Sequence, residues 1–144
     1  MTDLATSTTP NATRPRGVVV LVAAITAVAI NLLIYAGGRV AGGNFTFTQD
    51  GSVAHIDAVT VAAFSALPLG LGLTVVALLA RRIPWTTTAA IIVAPALAIA
   101  TIAIMTIPVD LDTISTVALA TCHLTLVPIS IVAIRRLHPR QTGS

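Results

Sequence analysis

Four long apolar runs, separated by short polar segments, organise the chain. Each run reaches the roughly 20 residues that a helix needs to cross the hydrocarbon core of a bilayer. None of the runs contains Lys, Arg, Asp or Glu. Membrane-spanning strands would be about half as long, with polar residues at every second position. The pattern therefore predicts four transmembrane helices, at residues 18–36, 58–80, 86–107 and 113–134.

The composition supports lipid as the surrounding solvent. Charged residues make up 9% of the chain, against about 25% in an ordinary soluble domain. The segments 81–85 and 108–112 are short, so the helices that they join should be antiparallel neighbours. The sequence thus predicts an all-α membrane protein, an antiparallel four-helix transmembrane bundle formed by residues 17–136. Residues 1–16, which we expect to be disordered, and residues 137–144 form the predicted tails.

The arginines indicate the orientation of the bundle. Seven of the eight fall on one side of the predicted spans: Arg14, Arg16, Arg81, Arg82, Arg135, Arg136 and Arg140. Only Arg39 falls on the other side. Because cytoplasmic loops carry an excess of positive charge, we expect a bacterial cytoplasmic membrane protein with both termini in the cytoplasm. The pairs Arg81-Arg82 and Arg135-Arg136 are the predicted topology anchors.

The polar segment 37–57 is the longest connection between spans. It contains the alternating run Phe45-Thr46-Phe47-Thr48, followed by Asp50-Gly51. Alternation followed by Asp-Gly is typical of a β-hairpin. The alternative is an irregular loop with Phe45 and Phe47 inserted at the membrane interface. Asp57 and Asp112 directly precede spans two and four, and we expect them to cap those helices.

Prolines interrupt three of the predicted helices, at Pro68, Pro95 and Pro128. Each removes a backbone hydrogen bond and crowds the carbonyl four residues earlier, so a kink is expected at each. Pro68 lies two residues before Gly70 and is the strongest candidate. A hinge or a broken-helix ion site is the alternative interpretation of that position.

Three side chains within the spans form the candidate polar site: His123, Asn31 and Tyr35. His123 lies near the centre of span four, where the low-dielectric surroundings favour the uncharged ring, and an ionisable group at that depth is a functional hypothesis. The alternative is a neutral ring bonded across the bundle to Asn31, a serine or a carbonyl. In span four we expect His123 on the packing face, in the series Thr116, Ala120, His123, Val127 and Ser130.

Several chemistries lack the residues that they require. The single cysteine, Cys122, excludes an intrachain disulfide and a CxxC motif. No nucleotide-binding loop, catalytic Ser/His/Asp spacing or metal-ligand motif is present. The arginines stand in pairs beside apolar runs and do not form the basic face typical of a nucleic-acid-binding domain. We therefore expect no enzymatic activity, no cofactor, no metal and no nucleic-acid partner.

The segment that leaves span one, Asn31-Leu-Leu-Ile-Tyr35-Ala-Gly-Gly-Arg39, carries a family resemblance together with three other motifs. These are Pro68-Leu-Gly70, Arg81-Arg82, and Asp112-Thr113 leading to His123-Leu124. From about residue 18 to residue 136 the chain resembles small four-helix bacterial membrane proteins, frequent in actinobacteria, that are known only as a domain of unknown function. The resemblance implies a multi-pass fold and supplies no activity.

Short loops and few polar groups inside the spans favour a structural or interaction protein, an accessory subunit that associates with copies of itself or with another membrane protein. The alternative is a small oligomeric transporter or channel with a polar path near His123 and Asn31. Its single copy of four helices leaves little room for a path, so this alternative requires oligomerisation.

Overall fold

A computed structural model describes residues 15–83 and 85–138 of the chain. It contains four principal helices: α1 at Arg16–Val40, α2 at Ala58–Leu79, α3 at Thr86–Thr101 and α4 at Thr113–Leu137. Each is long and apolar enough to cross a membrane, α3 together with the turn that continues it to Thr106. The prediction of an all-α, multi-pass membrane protein is confirmed.

The outer helices extend beyond their predicted spans. α1 begins at Arg16 and α4 ends at Leu137, both assigned above to the tails. Leu137 is 1% exposed and Arg16 Nη1 donates to the Ala77 carbonyl at 3.1 Å, so both residues pack against the bundle. The division of the chain into tails and membrane domain stays a prediction. Arginine stems are long and apolar, so a helix can continue past its uncharged run while the charged groups reach water. The remainder of the predicted tails, residues 1–14 and 139–144, lies outside the described residues.

The end of the third span departs from α-helical geometry. Residues Ile102–Thr106 form a π-helix, in which the Ile107 N–H donates to the Ile102 carbonyl at 3.0 Å. A bond to the fifth residue back widens the turn by comparison with an α-helix. The sequence pattern does not predict this feature, because the apolar run continues through it without a break.

The three prolines within the spans do not end their helices. α2 continues through Pro68, α3 through Pro95 and α4 through Pro128. Pro68 therefore lies within one continuous helix, unlike the broken-helix ion sites of transporters. Kinks at the three positions remain predictions.

α1 packs against both α2 and α4, whereas α3 packs mainly on α4, which contacts each of the other helices. The face of α1 towards its neighbours is made of small side chains such as Ala23 and Ala27, which are 7% and 0% exposed. Small residues allow helix backbones to approach closely in lipid, where van der Waals packing drives association. The end of the bundle that carries Arg16, Arg81, Arg82, Arg135 and Arg136 is called the arginine-rich end below. A buried cluster fills that end: Val19, Ala23, Leu73, Ala133, Ile134 and Leu137.

The segment between α1 and α2 forms a β-hairpin, so the hairpin interpretation is confirmed over the irregular loop. Strand β1, Thr46–Gln49, pairs antiparallel with β2, Ser52–His55. Asp50 and Gly51 join them with φ of 50° and 76°, and positive φ at both central residues defines the type I′ turn that Asp-Gly favours. This opposite end of the bundle is called the hairpin end.

Phe45, just before β1, anchors the hairpin. Its side chain is 0% exposed, whereas the irregular-loop interpretation placed it at the membrane interface. Its φ of 54° is unusual for a bulky residue. Gly38 in α1 makes room for the ring, since a Cβ there would come within 2.8 Å of Phe45 Cζ and 3.0 Å of Ala118 Cβ. The close approach of α1, α4 and the start of the hairpin therefore depends on the lack of a side chain at Gly38.

Gly38→Ala should destabilise the protein in detergent by about 1–2 kcal/mol, because overpacking at Phe45 and Ala118 outweighs the gain in helix propensity. Gly37→Ala is the matched control: a Cβ there meets nothing within 4 Å, so this change should stabilise by about 0.5–1 kcal/mol. Unfolding can be followed by maleimide labelling of Cys122, which is buried in the folded protein. Equal stability of the two variants would contradict the packing described for Gly38.

Candidate functional site

Asn31 of α1 lies in a buried polar cluster that joins three helices in the middle of the membrane domain. Its side chain is 2% exposed. The Nδ2 group donates to Ser65 Oγ of α2 at 2.8 Å, and Oδ1 accepts from the Thr125 hydroxyl of α4 at 2.6 Å. One amide thus joins α1 to both α2 and α4. These directional bonds fix the rotation of the helices more sharply than contacts between alanine side chains would.

The partners of Asn31 are themselves satisfied by their own helices. The Ser65 hydroxyl donates to the Val61 carbonyl at 2.7 Å, which leaves its oxygen free to accept from Asn31. Thr125 Oγ1 lies 2.8 Å from the Cys122 carbonyl, and Cys122 Sγ lies 3.7 Å from the Asn31 carbonyl. Each polar group of the cluster therefore has a partner inside the protein, as groups surrounded by lipid require.

His123 lies outside this cluster. Its Nδ1 is 2.8 Å from the Leu119 carbonyl, one turn back on the same helix, and the residue is half-buried. Because a carbonyl oxygen only accepts, the contact implies a proton on Nδ1. Adjacent residues of a helix point about 100° apart, so Cys122 faces Asn31 while His123 is turned to the flank. The structure therefore does not bring His123 and Asn31 together.

The buried face of α4 accordingly differs from the one predicted. Its buried residues, which apart from Ser130 are displaced by one position or more from the predicted series, are Ser115, Ala118, Cys122, Ser130, Ala133, Ile134 and Leu137. Of the predicted series, only Ser130 is buried. The predicted face is wrong because α4 has small or polar residues on more than one side, so the sequence alone does not fix its rotation.

Tyr35 belongs to the hairpin and not to the Asn31 cluster. Its hydroxyl donates to the Ile56 carbonyl at 3.2 Å, and its ring centroid lies 4.7 Å from that of Phe45 in a tilted arrangement. Such aromatic pairs are favourable beyond the apolar area that they bury. The predicted site residues thus separate into an anchor for the hairpin, an interhelical amide and a histidine bonded to its own helix.

Carboxylates at the hairpin end hold the backbone that leads into the hairpin. Asp112 accepts from the Ser115 N–H at 2.9 Å, as the predicted N-cap of α4, and from the Asn44 N–H at 3.1 Å. Ser115 Oγ accepts in turn from the Phe45 N–H at 2.9 Å. Hydrogen bonds from the Ser115 side chain and backbone lower the pKa of Asp112 from 3.8 to about 2. The charged form of Asp112 is therefore the one that docks the hairpin.

Two further aspartates at this end accept backbone N–H groups. Asp110 Oδ1 accepts from the Thr48 N–H at 2.8 Å, and this bond lowers the pKa of its carboxyl group. Asp57 accepts from the Thr60 N–H at 2.7 Å and is the predicted N-cap of α2. The hydrogen bonds from the Thr60 backbone and side chain lower the pKa of Asp57 as well. The hydrogen bond from the Thr48 N–H to Asp110 was not predicted, because the two residues are 62 positions apart and no local sequence pattern indicates their contact.

Two open grooves flank α1 at the arginine-rich end. One, of about 330 Å³, lies between α1 and α4, and the other, of about 490 Å³, lies between α1 and α2. Neither groove is lined by Asn31, Thr125 or His123. Within residues 15–83 and 85–138, no group of three His, Cys, Asp or Glu side chains is placed to hold a metal ion.

The protein is thus a four-helix membrane bundle with the Asn31 cluster in its interior and a β-hairpin at one end. A family model matches residues 11–140. The chain belongs to the Family of unknown function (DUF6069). No curated protein and no solved structure matches it. The match extends over Asn31, Ser65 and Thr125, so the whole cluster lies within the DUF6069 region, and the predicted resemblance to a domain of unknown function is confirmed.

Asn31→Leu tests the cluster in this DUF6069 fold, because leucine keeps the branched shape and removes the hydrogen bonds. We expect the free energy of unfolding to fall by about 1–2 kcal/mol. The loss comes from two interhelical hydrogen bonds of the strength measured in membranes and from the poorer fit of leucine between Ser65 and Thr125. Helicity during titration with sodium dodecyl sulfate measures the change. Thr121→Val is the control: the Thr121 hydroxyl bonds to Val117 of its own helix and is exposed, so its removal should alter stability by less than about 0.5 kcal/mol.

Proposed function

We propose that this protein is a non-catalytic structural or interaction subunit of a membrane assembly. The observation that carries the proposal is the closed Asn31 cluster, in which the side chains of Asn31, Ser65 and Thr125 bond to one another and the Ser65 hydroxyl donates to its own helix. A transport path needs polar groups that exchange partners with water or solute. Here the amide of Asn31 is 2% exposed, and the two open grooves are lined by other residues.

The outer surface supports the same proposal. Of the residues in α3, Thr86–Thr101, only Thr87 is buried. The helix presents large apolar side chains outward, among them Ile92 at 68% and Leu97 at 61% exposed. A helix held on one face has most of its surface available to lipid or to another transmembrane helix. α3 is therefore the surface that we assign to association with a second copy or another membrane protein.

The proposed location is the bacterial cytoplasmic membrane, with the arginine-rich end in the cytoplasm. Two features support this orientation. The described residues carry five arginines at that end, whereas Arg39 lies at the hairpin end with four aspartates: Asp50, Asp57, Asp110 and Asp112. Positive charge is retained on the cytoplasmic side during insertion. Both termini then lie in the cytoplasm and the hairpin outside it.

Reporter fusions test this orientation. Alkaline phosphatase fused after Ser144 should be inactive, and green fluorescent protein at the same position should be fluorescent, because the first requires export and the second does not. Phosphatase inserted at the Asp50-Gly51 turn is the matched control and should be active. An active phosphatase after Ser144 would reverse the proposed orientation.

Photo-crosslinking tests association through α3. Benzoylphenylalanine replaces Leu97 on α3 in one variant and Leu33 on α1, 73% exposed, in the other. We expect a discrete adduct in native membranes from position 97, at twice the 14.7 kDa chain mass for self-association or at another fixed mass for a different subunit. Position 33 should give lipid adducts alone. Lipid adducts from both positions, with a monomer in mild detergent, would overturn the proposal.

Reconstituted liposomes distinguish the transporter alternative. Under the proposed function, proton flux is the same in liposomes with and without the protein. A flux that appears with the protein and disappears with Asn31→Leu, but persists with Thr121→Val, would replace the accessory role by transport through the cluster.

A further inference from the structure

The groove between α1 and α2 combines an apolar wall with two guanidinium groups. Its volume is about 490 Å³, and its lining includes Val20, Leu21, Ala24 and Leu78 together with Arg16 and Arg81. Arg16 and Ala24 are eight positions apart in one helix, which corresponds to roughly 12 Å of groove length. The arginines lie at the arginine-rich end and the apolar residues extend from there towards the middle of the membrane. Further along lies Thr74, whose hydroxyl donates to the Gly70 carbonyl of its own helix. The groove is therefore cationic at its mouth and mainly apolar beyond it.

The arginines at this mouth have no acidic partner among the described residues, because the aspartates in that part of the chain lie at the hairpin end. Arg16 directs Nη1 to the Ala77 carbonyl, which leaves its other N–H groups for a ligand. Arg81 is exposed. Two guanidinium groups beside a membrane groove create a local excess of positive charge that an anion would neutralise.

We propose that this groove binds one anionic phospholipid, with its phosphate between Arg16 and Arg81 and an acyl chain along Leu21, Ala24 and Leu78. Basic pockets between transmembrane helices are suited to anionic headgroups, and the guanidinium group matches the geometry of phosphate oxygens. Gly17 adds to the space at the mouth, since a Cβ there would meet nothing within 4 Å. A second transmembrane helix is the less suitable occupant because it brings apolar side chains to a cationic mouth.

The groove on the other flank of α1 has one guanidinium in its lining, that of Arg136. It shares the apolar character, with Val22 and Val132 in its wall. A single cation gives weaker selection for an anionic headgroup than two. The charge difference therefore assigns the specific lipid to the α1–α2 groove.

Native mass spectrometry of the full-length protein in mild detergent tests the assignment, by titration with phosphatidylglycerol or phosphatidylcholine of the same acyl chains. The wild type should retain one phosphatidylglycerol with clear preference over phosphatidylcholine. Arg81→Gln should weaken phosphatidylglycerol binding about fivefold, the usual effect of one basic residue near a membrane surface. It should weaken phosphatidylcholine binding by less, because the choline cation offsets the charge of the phosphate. Arg82→Gln is the matched control, because Arg82 is equally exposed but does not line the groove, and it should retain wild-type affinity.

Gly17→Leu tests the apolar part with every charge in place. The added side chain enters open space and should reduce retention of both lipids in the groove without loss of folding. Equal weakening by Arg81→Gln and Arg82→Gln would indicate general surface charge and overturn the proposal. So would equal affinity for the two lipids, or a protein dimer that excludes lipid and is lost in Gly17→Leu.

Discussion

A polar group in the hydrocarbon core of a membrane has no water to bond with, and this constraint determines the interior of the bundle. Asn31 meets it with Ser65 on one neighbouring helix and Thr125 on the other. Because the amide offers a donor and an acceptor in fixed directions, the two contacts set the rotation of three helices at once. Alanine faces permit close approach but leave rotation free. The cluster therefore provides the specificity that apolar packing in lipid lacks.

The same constraint explains the hairpin end, where the chain leaves one helix and must satisfy backbone groups before it enters the next. Asp112 and Ser115 at the start of α4 accept N–H groups of Asn44 and Phe45. The Phe45 ring then fills the space above Gly38. A residue in the left-handed region costs of order 1–3 kcal/mol, and these contacts offset that cost. The hairpin is thus held on this end of the bundle by hydrogen bonds to the N-terminus of α4.

The sequence predicted features that depend on local chemistry: the four spans, the Asp57 and Asp112 caps, and the Asp50-Gly51 turn. It did not predict features that depend on the rotation of a helix. His123 was placed on the packing face, yet Cys122, one residue away, meets Asn31. Because α4 has small or polar residues on more than one side, no contrast between its faces marks the interior. The π-helix at Ile102–Thr106 was not predicted for a related reason: the apolar run continues through it without a change in pattern.

Four residues of the segment from Asn31 to Arg39, which carries the family resemblance, make contacts within the fold. Asn31 joins the helices, Tyr35 contacts Phe45, Gly38 admits the ring, and Arg39 donates to the Asn44 carbonyl at 2.9 Å. Each of these contacts is made to another residue of the same chain, so these four residues of the motif have structural roles. The surfaces that we propose for lipid and for a partner are separate from this motif. They lie on the outside of the bundle, at the guanidinium groups of Arg16 and Arg81 and on the apolar face of α3.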